Sequence, residues 1–278
     1  MKFLSAFIAA LTITVSADAF TNHVERKLIL GGTIVPEGRK LYYTGLRHTA
    51  EGKNICGAAL IAPLHVLTAS HCITYDIRWA SIGSQYNNGT HDGEQIKVVS
   101  VMIHPNSSIP LPYSNDFAIL ELEVASSIKP VKLAKADNSD FKDGATVTTV
   151  GTGHTSEGLT AVEAHERQRV DSNLITNEQC KEDGRIVVDD SMVCVAGQIS
   201  MGFCDGDLGG PLFIESSDDN TDDDADDDAD DVLIGIASWR NARDGSVCGR
   251  GMSLPMVYSR VSSVRKWMDP IITTSCFV

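Results

Sequence analysis

Short apolar runs separated by turn residues are the feature that most restricts how this chain can fold. These runs occupy residues 58–67, 94–103, 117–124, 146–150 and 232–239. Gly, Asn, Asp and Pro separate them instead of helical patterns, which is typical of antiparallel β-structure. The clearest helix candidate is residues 262–268. After removal of a leader, about 260 residues suit one all-β domain built from one barrel or from two.

The N-terminus has the features of a secretory signal peptide, which we assign to residues 1–17. Lys2 supplies a positive charge, residues 3–15 are mostly apolar, and Val15, Ser16 and Ala17 form a small-residue cleavage site. A membrane anchor, which is the alternative, needs a longer apolar run of roughly 20 residues. We therefore predict an exported, soluble protein.

Seven cysteines in an exported chain indicate disulfides rather than metal sites or redox centres. The sequence alone does not determine which cysteines pair, and it predicts no metal and no cofactor. Asn88 and Asn106 each begin an Asn-X-Ser/Thr triplet. We predict N-glycosylation at both, on surface loops.

An acidic run at residues 216–231 contains ten aspartates, so most of the net charge of −14 is local. The segments on either side, residues 211–214 and 232–237, have the composition of neighbouring strands. We predict a solvated hairpin loop that is disordered by its own repulsion. A tether for a basic partner and a weak calcium sink are the alternatives, although the repeated pattern lacks the fixed geometry of a calcium site. The charge argues against nucleic-acid binding.

A glycine-rich segment at residues 204–211 reads Cys-Asp-Gly-Asp-Leu-Gly-Gly-Pro. It resembles the nucleophile loop of the chymotrypsin/trypsin-like serine proteases. Five further segments resemble the same family in the same chain order, at residues 29–32, 67–72, 116–122, 238–239 and 257–261. His71 and Asp116 lie in two of these segments, at the positions of the family's catalytic histidine and aspartate.

The resemblance extends from Ile29 to about residue 270 and implies an all-β fold of two six-stranded antiparallel β-barrels with a short C-terminal helix. Residues 18–28 would be a short pro-segment and residues 29–278 the trypsin-like domain. The family pattern also implies three disulfides, and each of them would stabilise the folded state by roughly 2–4 kcal/mol. The implied pairs are Cys56–Cys72, Cys180–Cys194 and Cys204–Cys248, which leaves Cys276 over.

Position 208 departs from the family because Leu208 stands where serine is the nucleophile. Leucine has no oxygen to attack a carbonyl, so acyl-enzyme chemistry cannot begin there. We interpret His71 and Asp116 as inherited packing. The backbone N–H groups of Gly206 and Leu208 would form an oxyanion-hole remnant. Loss of the nucleophile costs on the order of 10⁶ in rate, and we predict that peptidase function is lost.

The substrate pocket and the activation site depart from the family as well. Gly202, followed by Phe203, stands where trypsin-like enzymes have an aspartate, and Arg240 and Met256 stand where the family usually has glycine. We expect these large side chains to block the pocket. Activation is altered because Leu28 separates Lys27 from Ile29, which leaves the new terminus too long to pair with Asp207. An unpaired buried charge there would be costly.

Several stretches look like the glucanase inhibitor proteins of oomycete plant pathogens, at residues 29–38, 43–47, 88–100, 131–137 and 232–236. This resemblance implies a secreted effector that binds host plant endo-β-1,3-glucanases in the apoplast and suppresses the release of glucan elicitors. The alternatives are a pseudoprotease that binds another extracellular protein or a glucan, and a weakly active secreted protease in which His71 positions a water.

Trp239 and Arg240, on the rim of the former cleft, are the candidate anchors of a protein interface, because tryptophan and arginine dominate such contacts. In the alternative interpretation, Trp239 packs against the cleft wall and Arg240 plugs the pocket.

Overall fold

The computed structural model describes residues 32–154, 162–184, 186–197, 202–216, 227–240 and 254–273. The predicted signal peptide, the pro-segment and the first residues of the domain lie outside the described residues. So do Cys248, Cys276 and most of the acidic run. Within the described ranges, no helix is long and apolar enough to cross a membrane.

The first barrel is formed by β2 (Tyr43–Arg47), β3 (Cys56–Ala62), β4 (His65–Thr68), β5 (Trp79–Ile82), β6 (Glu94–Ile103) and β7 (Ala118–Leu122). These strands close in the order β2-β3-β4-β7-β6-β5. The predicted strand at residues 94–103 coincides with β6. The predicted strand at residues 58–67 was wrong in one respect, because Pro63 and Leu64 form a turn that divides it into β3 and β4.

The second barrel is formed by β9 (Thr146–Gly151), β10 (Gln168–Ile175), β11 (Met192–Val195), β12 (Pro211–Ile214), β13 (Val232–Arg240) and β14 (Met256–Arg260). Consecutive pairing around β9-β10-β11-β14-β13-β12 closes it. Two short strands lie beside this ring: β1 (Thr33–Ile34) pairs with β10, and β8 (Lys132–Leu133) pairs with β13. The prediction of two six-stranded antiparallel barrels is confirmed.

Two helices accompany the barrels. The predicted C-terminal helix is α2 (Val261–Thr273), which buries Val261, Val264 and Met268 on one face. The helix α1 (Asn177–Gly184) was not predicted. Its start carries a sequence signal nevertheless, because Thr176 and Gln179 exchange side-chain-to-backbone hydrogen bonds of 2.9 and 3.1 Å, as in a capping box.

Two of the disulfides implied by the resemblance are present, Cys56–Cys72 and Cys180–Cys194. The second ties α1 to β11. Cys204 is also disulfide-bonded, and Cys248, the partner that the family pattern predicts for it, lies outside the described residues.

The end of the acidic run is ordered and buried, so the prediction of a solvated, disordered loop is wrong for this part. Residues Asp227–Asp230 form a 3₁₀ turn, and Asp228 and Asp231 are buried. The Lys40 ammonium lies 2.9 Å from Asp228 and 2.8 Å from Asp231, and the Tyr42 hydroxyl donates to Asp231 over 2.7 Å. Buried carboxylates need such partners, and these come from the other end of the chain.

Candidate functional site

The positions of the family's triad meet where the two barrels touch. His71 lies in the 3₁₀ turn Ser70–Tyr75 after β4, Asp116 lies just before β7, and Leu208 lies in the loop before β12. The barrels approach closely here, because a Cβ atom on Gly57 would lie 2.6 Å from Gly210 Cα. Gly57 N also donates to the Leu208 carbonyl oxygen over 2.7 Å. Only glycine allows this contact.

Asp116 is the centre of a polar network that spans the junction. Its carboxylate accepts hydrogen bonds from His71 Nδ1 over 2.8 Å and from the His71 backbone N–H over 3.0 Å. The hydroxyls of Ser70 and Ser238 each donate to it over 2.6 Å. Ser238 belongs to β13 of the second barrel, so one buried carboxylate connects both barrels.

The network keeps Asp116 ionised. Burial acts to raise the pKa of Asp116, but the hydrogen bonds from His71, Ser238 and Ser70 outweigh it and hold the pKa below 3.8. An ionised carboxylate only accepts hydrogen bonds, so His71 Nδ1 is the donor to Asp116 and Nε2 is the ring nitrogen left to face away from it. His71 is therefore oriented as a general base.

The base has no nucleophile to activate. Leu208 is half-buried and packs its side chain against the hydrophobic core. Among the described residues, the only hydrogen-bond contact of His71 Nε2 is with Cys72 Sγ, 3.9 Å away and already in a disulfide. The hydroxyls of Ser70 and Ser238 donate to Asp116 instead. The chemistry that His71 could start has no attacking group.

The backbone of the nucleophile loop retains two N–H groups of the oxyanion-hole type. Gly206 has φ of 96°, a conformation that favours glycine. Neither Gly206 N nor Leu208 N donates to another described residue. Two such N–H groups on one turn could hold a carbonyl oxygen.

Asp207 is a buried carboxylate with only neutral donors among the residues that the structure describes. The backbone N–H groups of Gly153 and Cys204 donate to it over 2.6 and 2.9 Å. Burial raises the pKa of Asp207 to about 6, against the smaller lowering effect of these two donors. The activation site at Lys27, Leu28 and Ile29 lies outside the described residues, so the predicted failure of a new terminus to pair with Asp207 stays a prediction.

Met256 and Phe203 occupy the region that the resemblance assigns to the substrate pocket. The sulfur of Met256 lies so close to Gly202 that a Cβ atom there would collide with it. Met256 and Phe203 are both buried, and the Phe203 ring packs edge-on against Tyr258 with centroids 5.1 Å apart. This packing supports the prediction of a blocked pocket.

Arg240 and Trp239 line the same region. Arg240 lies 3.4 Å from the Asp205 carboxylate and exposes 21% of its side chain. Trp239 is half-buried and stacks on Tyr113, with ring centroids 6.0 Å apart and planes 23° apart. These contacts favour the interpretation in which Trp239 packs against the cleft wall and Arg240 plugs the pocket.

Tyr113 is a site residue that the sequence interpretation missed. Its ring also packs edge-on against His71, with centroids 6.0 Å apart, while remaining 41% exposed. Its loop is fixed to the second barrel because the Ser114 hydroxyl donates to Asp189 and Asn115 N donates to Ser191 Oγ over 2.9 Å. An aromatic residue three positions before Asp116 was the available signal.

Among the described residues, the structure brings together no group of three or more His, Cys, Asp or Glu side chains that could hold a metal ion.

Comparison with known proteins agrees with this geometry. The profile of the trypsin family matches residues 29–268. The chain is 43% identical over 274 residues to glucanase inhibitor protein 3 of Phytophthora infestans, covering 98% of each. It is 40% identical over 275 residues to glucanase inhibitor protein 2 of Phytophthora sojae, covering 99% of this chain and 89% of that protein. A trypsin of Saccharopolyspora erythraea is 30% identical over 227 residues, covering 77% and 86% respectively. The chain belongs to the trypsin family and, within it, to the group represented by the glucanase inhibitor proteins.

Proposed function

We propose that this protein is a secreted, non-proteolytic member of the trypsin family that binds and inhibits a host plant endo-β-1,3-glucanase. In the host apoplast, this inhibition suppresses the release of glucan elicitors. The observation that carries the proposal is the match to proteins named glucanase inhibitors along nearly the whole chain. Because the match includes both barrels, it includes the loops that a protein partner would contact.

The chemistry of the cleft supports a binding role over proteolysis. Leu208 removes the attacking hydroxyl, and Met256 occupies space that a substrate side chain would need. The two changes lie in different strands and loops, and each one alone would impair peptide cleavage. The remaining polar network orients His71 but provides no nucleophile for it to activate.

The rim of the cleft is where we place the interface with the glucanase. An inhibitory contact needs roughly 800 Å² on each partner, with aromatic anchors on rigid elements. Tyr113 meets this requirement better than Trp239 or Arg240, because it is more exposed and its loop is tied to both barrels. We therefore assign Tyr113 as the residue of this chain that contributes most to binding the glucanase.

Inhibition of laminarin hydrolysis tests the proposal directly. The purified protein is titrated against a plant endo-β-1,3-glucanase, and the wild type is expected to slow hydrolysis at micromolar concentration or below. Tyr113→Ala should weaken inhibition about tenfold or more. Tyr75→Ala is the matched control, because Tyr75 is 50% exposed on the same barrel but has no recorded contact with His71. Undiminished hydrolysis with the wild type contradicts the proposal.

A residual hydrolase is the alternative that the retained His71–Asp116 pair favours. A serine-directed fluorophosphonate probe and a chromogenic ester separate the two cases. We expect no labelling and no turnover by the wild type, and labelling at position 208 only in Leu208→Ser. Turnover by the wild type equal to that of Leu208→Ser would establish the alternative.

Another extracellular partner is the remaining alternative. Tagged protein incubated with plant apoplastic fluid should retain a glucanase, and Tyr113→Ala should retain less of it. Retention of a different protein, unaffected by added glucanase, would favour a pseudoprotease with another target.

A further inference from the structure

Exposed apolar side chains are concentrated on one part of the first barrel. The strand β6 exposes Val99, Val101 and Ile103, and the loop that follows it exposes Ile109. These are four of the nine large apolar side chains that are exposed among the described residues. An uncovered apolar surface of this kind promotes association between chains.

Asn106 lies between two of these apolar residues along the chain. Ile103 precedes it by three residues and Ile109 follows it by three, with Ile109 N donating to the Asn106 carbonyl oxygen over 3.0 Å. Asn115 Nδ2 donates to the same oxygen over 3.3 Å. The backbone at Asn106 is therefore held in a turn between Ile103 and Ile109.

The side chain of Asn106 remains available for modification. Asn106 is exposed, and its amide makes no hydrogen bond to another described residue. Ser108, which completes the Asn-X-Ser triplet, is exposed as well. Asn115 provides a contrast within the same loop, because its amide donates to the carbonyl oxygens of Asn106 and Ile109. Accessibility and triplet together are what an N-glycosylation acceptor requires.

We propose that Asn106 carries an N-linked oligosaccharide that covers the apolar surface formed by Val99, Val101 and Ile103 of β6 and by Ile109. The Asn106 amide nitrogen forms a bond to C1 of an N-acetylglucosamine while the bond from C1 to a lipid diphosphate breaks. The amide loses one proton and the lipid diphosphate departs. The proposal rests on the predicted export of the chain into a glycosylating compartment.

The second triplet provides a matched control. Asn88 is exposed and is followed by Thr90, which is also exposed. Its neighbours His91 and Asp92 are polar, and no large apolar side chain is exposed within residues 83–93. A glycan on Asn88 would therefore cover no apolar surface.

The experiment compares occupancy with surface exposure. The full chain with its own leader is expressed in a secreting eukaryotic host, and enzymatic deglycosylation in ¹⁸O-water marks each occupied asparagine for peptide mass mapping. The variants are Asn106→Gln, Ser108→Gly and Asn88→Gln. Ser108 has φ of 61°, so glycine suits its backbone and removes the triplet without strain.

We expect Asn106 to be occupied in the wild type. Loss of the glycan in Asn106→Gln and Ser108→Gly should raise binding of a hydrophobic dye about twofold or more and increase self-association in sedimentation. Asn88→Gln should leave both unchanged. An unmodified Asn106 in the wild type overturns the proposal, and so does an occupied Asn106 whose removal changes neither dye binding nor self-association.

Discussion

The two sides of the former cleft differ in how much of their polar structure remains. On the first-barrel side, His71 and Asp116 keep a full set of hydrogen bonds, including the one from Ser238 across the junction. On the second-barrel side, Leu208 and Met256 are aliphatic and pack into the protein. The first-barrel side keeps a hydrogen-bonded histidine and aspartate, and the second-barrel side has apolar side chains at positions 208 and 256.

The difference between the two sides follows from whether removal of a side chain leaves a buried polar group without its hydrogen-bond partner. A hydroxyl at position 208 would face the substrate, so its loss leaves no buried partner unsatisfied. Every donor to Asp116 satisfies a buried charge, so loss of one of them leaves that charge poorly paired. Catalysis and the architecture of the barrel junction are therefore separable in this chain, and four changes test that separation.

Removal of the Asp116 carboxylate should have the largest effect. Asp116→Ala leaves His71 Nδ1 and the Ser238 hydroxyl without their acceptor, so we expect the free energy of unfolding to fall by about 4 kcal/mol. Leu208→Ala is the control at the other side of the cleft and should cost about 1.5 kcal/mol, because Leu208 is only half-buried. Urea unfolding measures both losses, and equal losses would contradict the difference between the two sides of the cleft.

The pH dependence of stability should report on Asp207. Its pKa is raised from 3.8 to about 6 in the folded chain, so the folded state binds more protons than the unfolded state between these pH values. Its stabilising effect is complete below pH 3.8 and is lost as the pH rises through 6, amounting to about 3 kcal/mol. The test is to measure the free energy of unfolding of the wild type and of Asp207→Asn from pH 3 to pH 7. The difference between the two proteins at each pH gives the contribution of Asp207. A slope of opposite sign would reveal a cationic partner of Asp207.

The contribution of the barrel-spanning hydrogen bond should be smaller. Ser238→Ala removes one donor from the buried Asp116 carboxylate, and we expect a loss of about 2 kcal/mol. Ser172→Ala is the matched control in the same barrel, because Ser172 donates to the neutral Ala196 carbonyl oxygen over 2.8 Å. Its expected loss is about 1 kcal/mol. If Ser238→Ala and Ser172→Ala lower the free energy of unfolding equally, the charge of Asp116 contributes nothing to the stability of the junction.

Loss of the ion pair at the pocket mouth should have the smallest effect. Arg240 and Asp205 are 3.4 Å apart, and the Asp205 side chain is half exposed to water. Arg240→Ala should change the unfolding free energy by less than about 1 kcal/mol, as thermal or urea unfolding would show. A loss as large as that of Asp116→Ala would mean that the second-barrel side is also held by polar contacts.

The barrels were largely predictable because their signals are local. Alternating and apolar runs located β6, β12 and β13, and the family motifs implied Cys56–Cys72 and Cys180–Cys194. The helix α1 was missed because it is short and mostly polar, although the Thr176–Gln179 capping pair was present in the sequence. Its position depends on the disulfide to β11 rather than on its own helical tendency.

The end of the acidic run, at Asp228 and Asp231, was mispredicted because charge density was considered without its partners. Lys40 is 188 residues away from Asp228, and no local pattern connects the two. Three carboxylates, on Glu215, Asp228 and Asp231, lie within 3.0 Å of the Lys40 ammonium. Repulsion within a run of aspartates is outweighed at its end by this buried cation.

The sequence by itself determined the absence of an attacking oxygen at position 208, because the chemistry of a side chain is a covalent property that folding does not change. Only the tertiary structure decided that Asp116 joins both barrels through Ser238, that Tyr113 packs on His71, and that Asp231 is buried against Lys40. Burial, pairing and pKa depend on neighbours that are distant along the chain, and the fold brings these neighbours together.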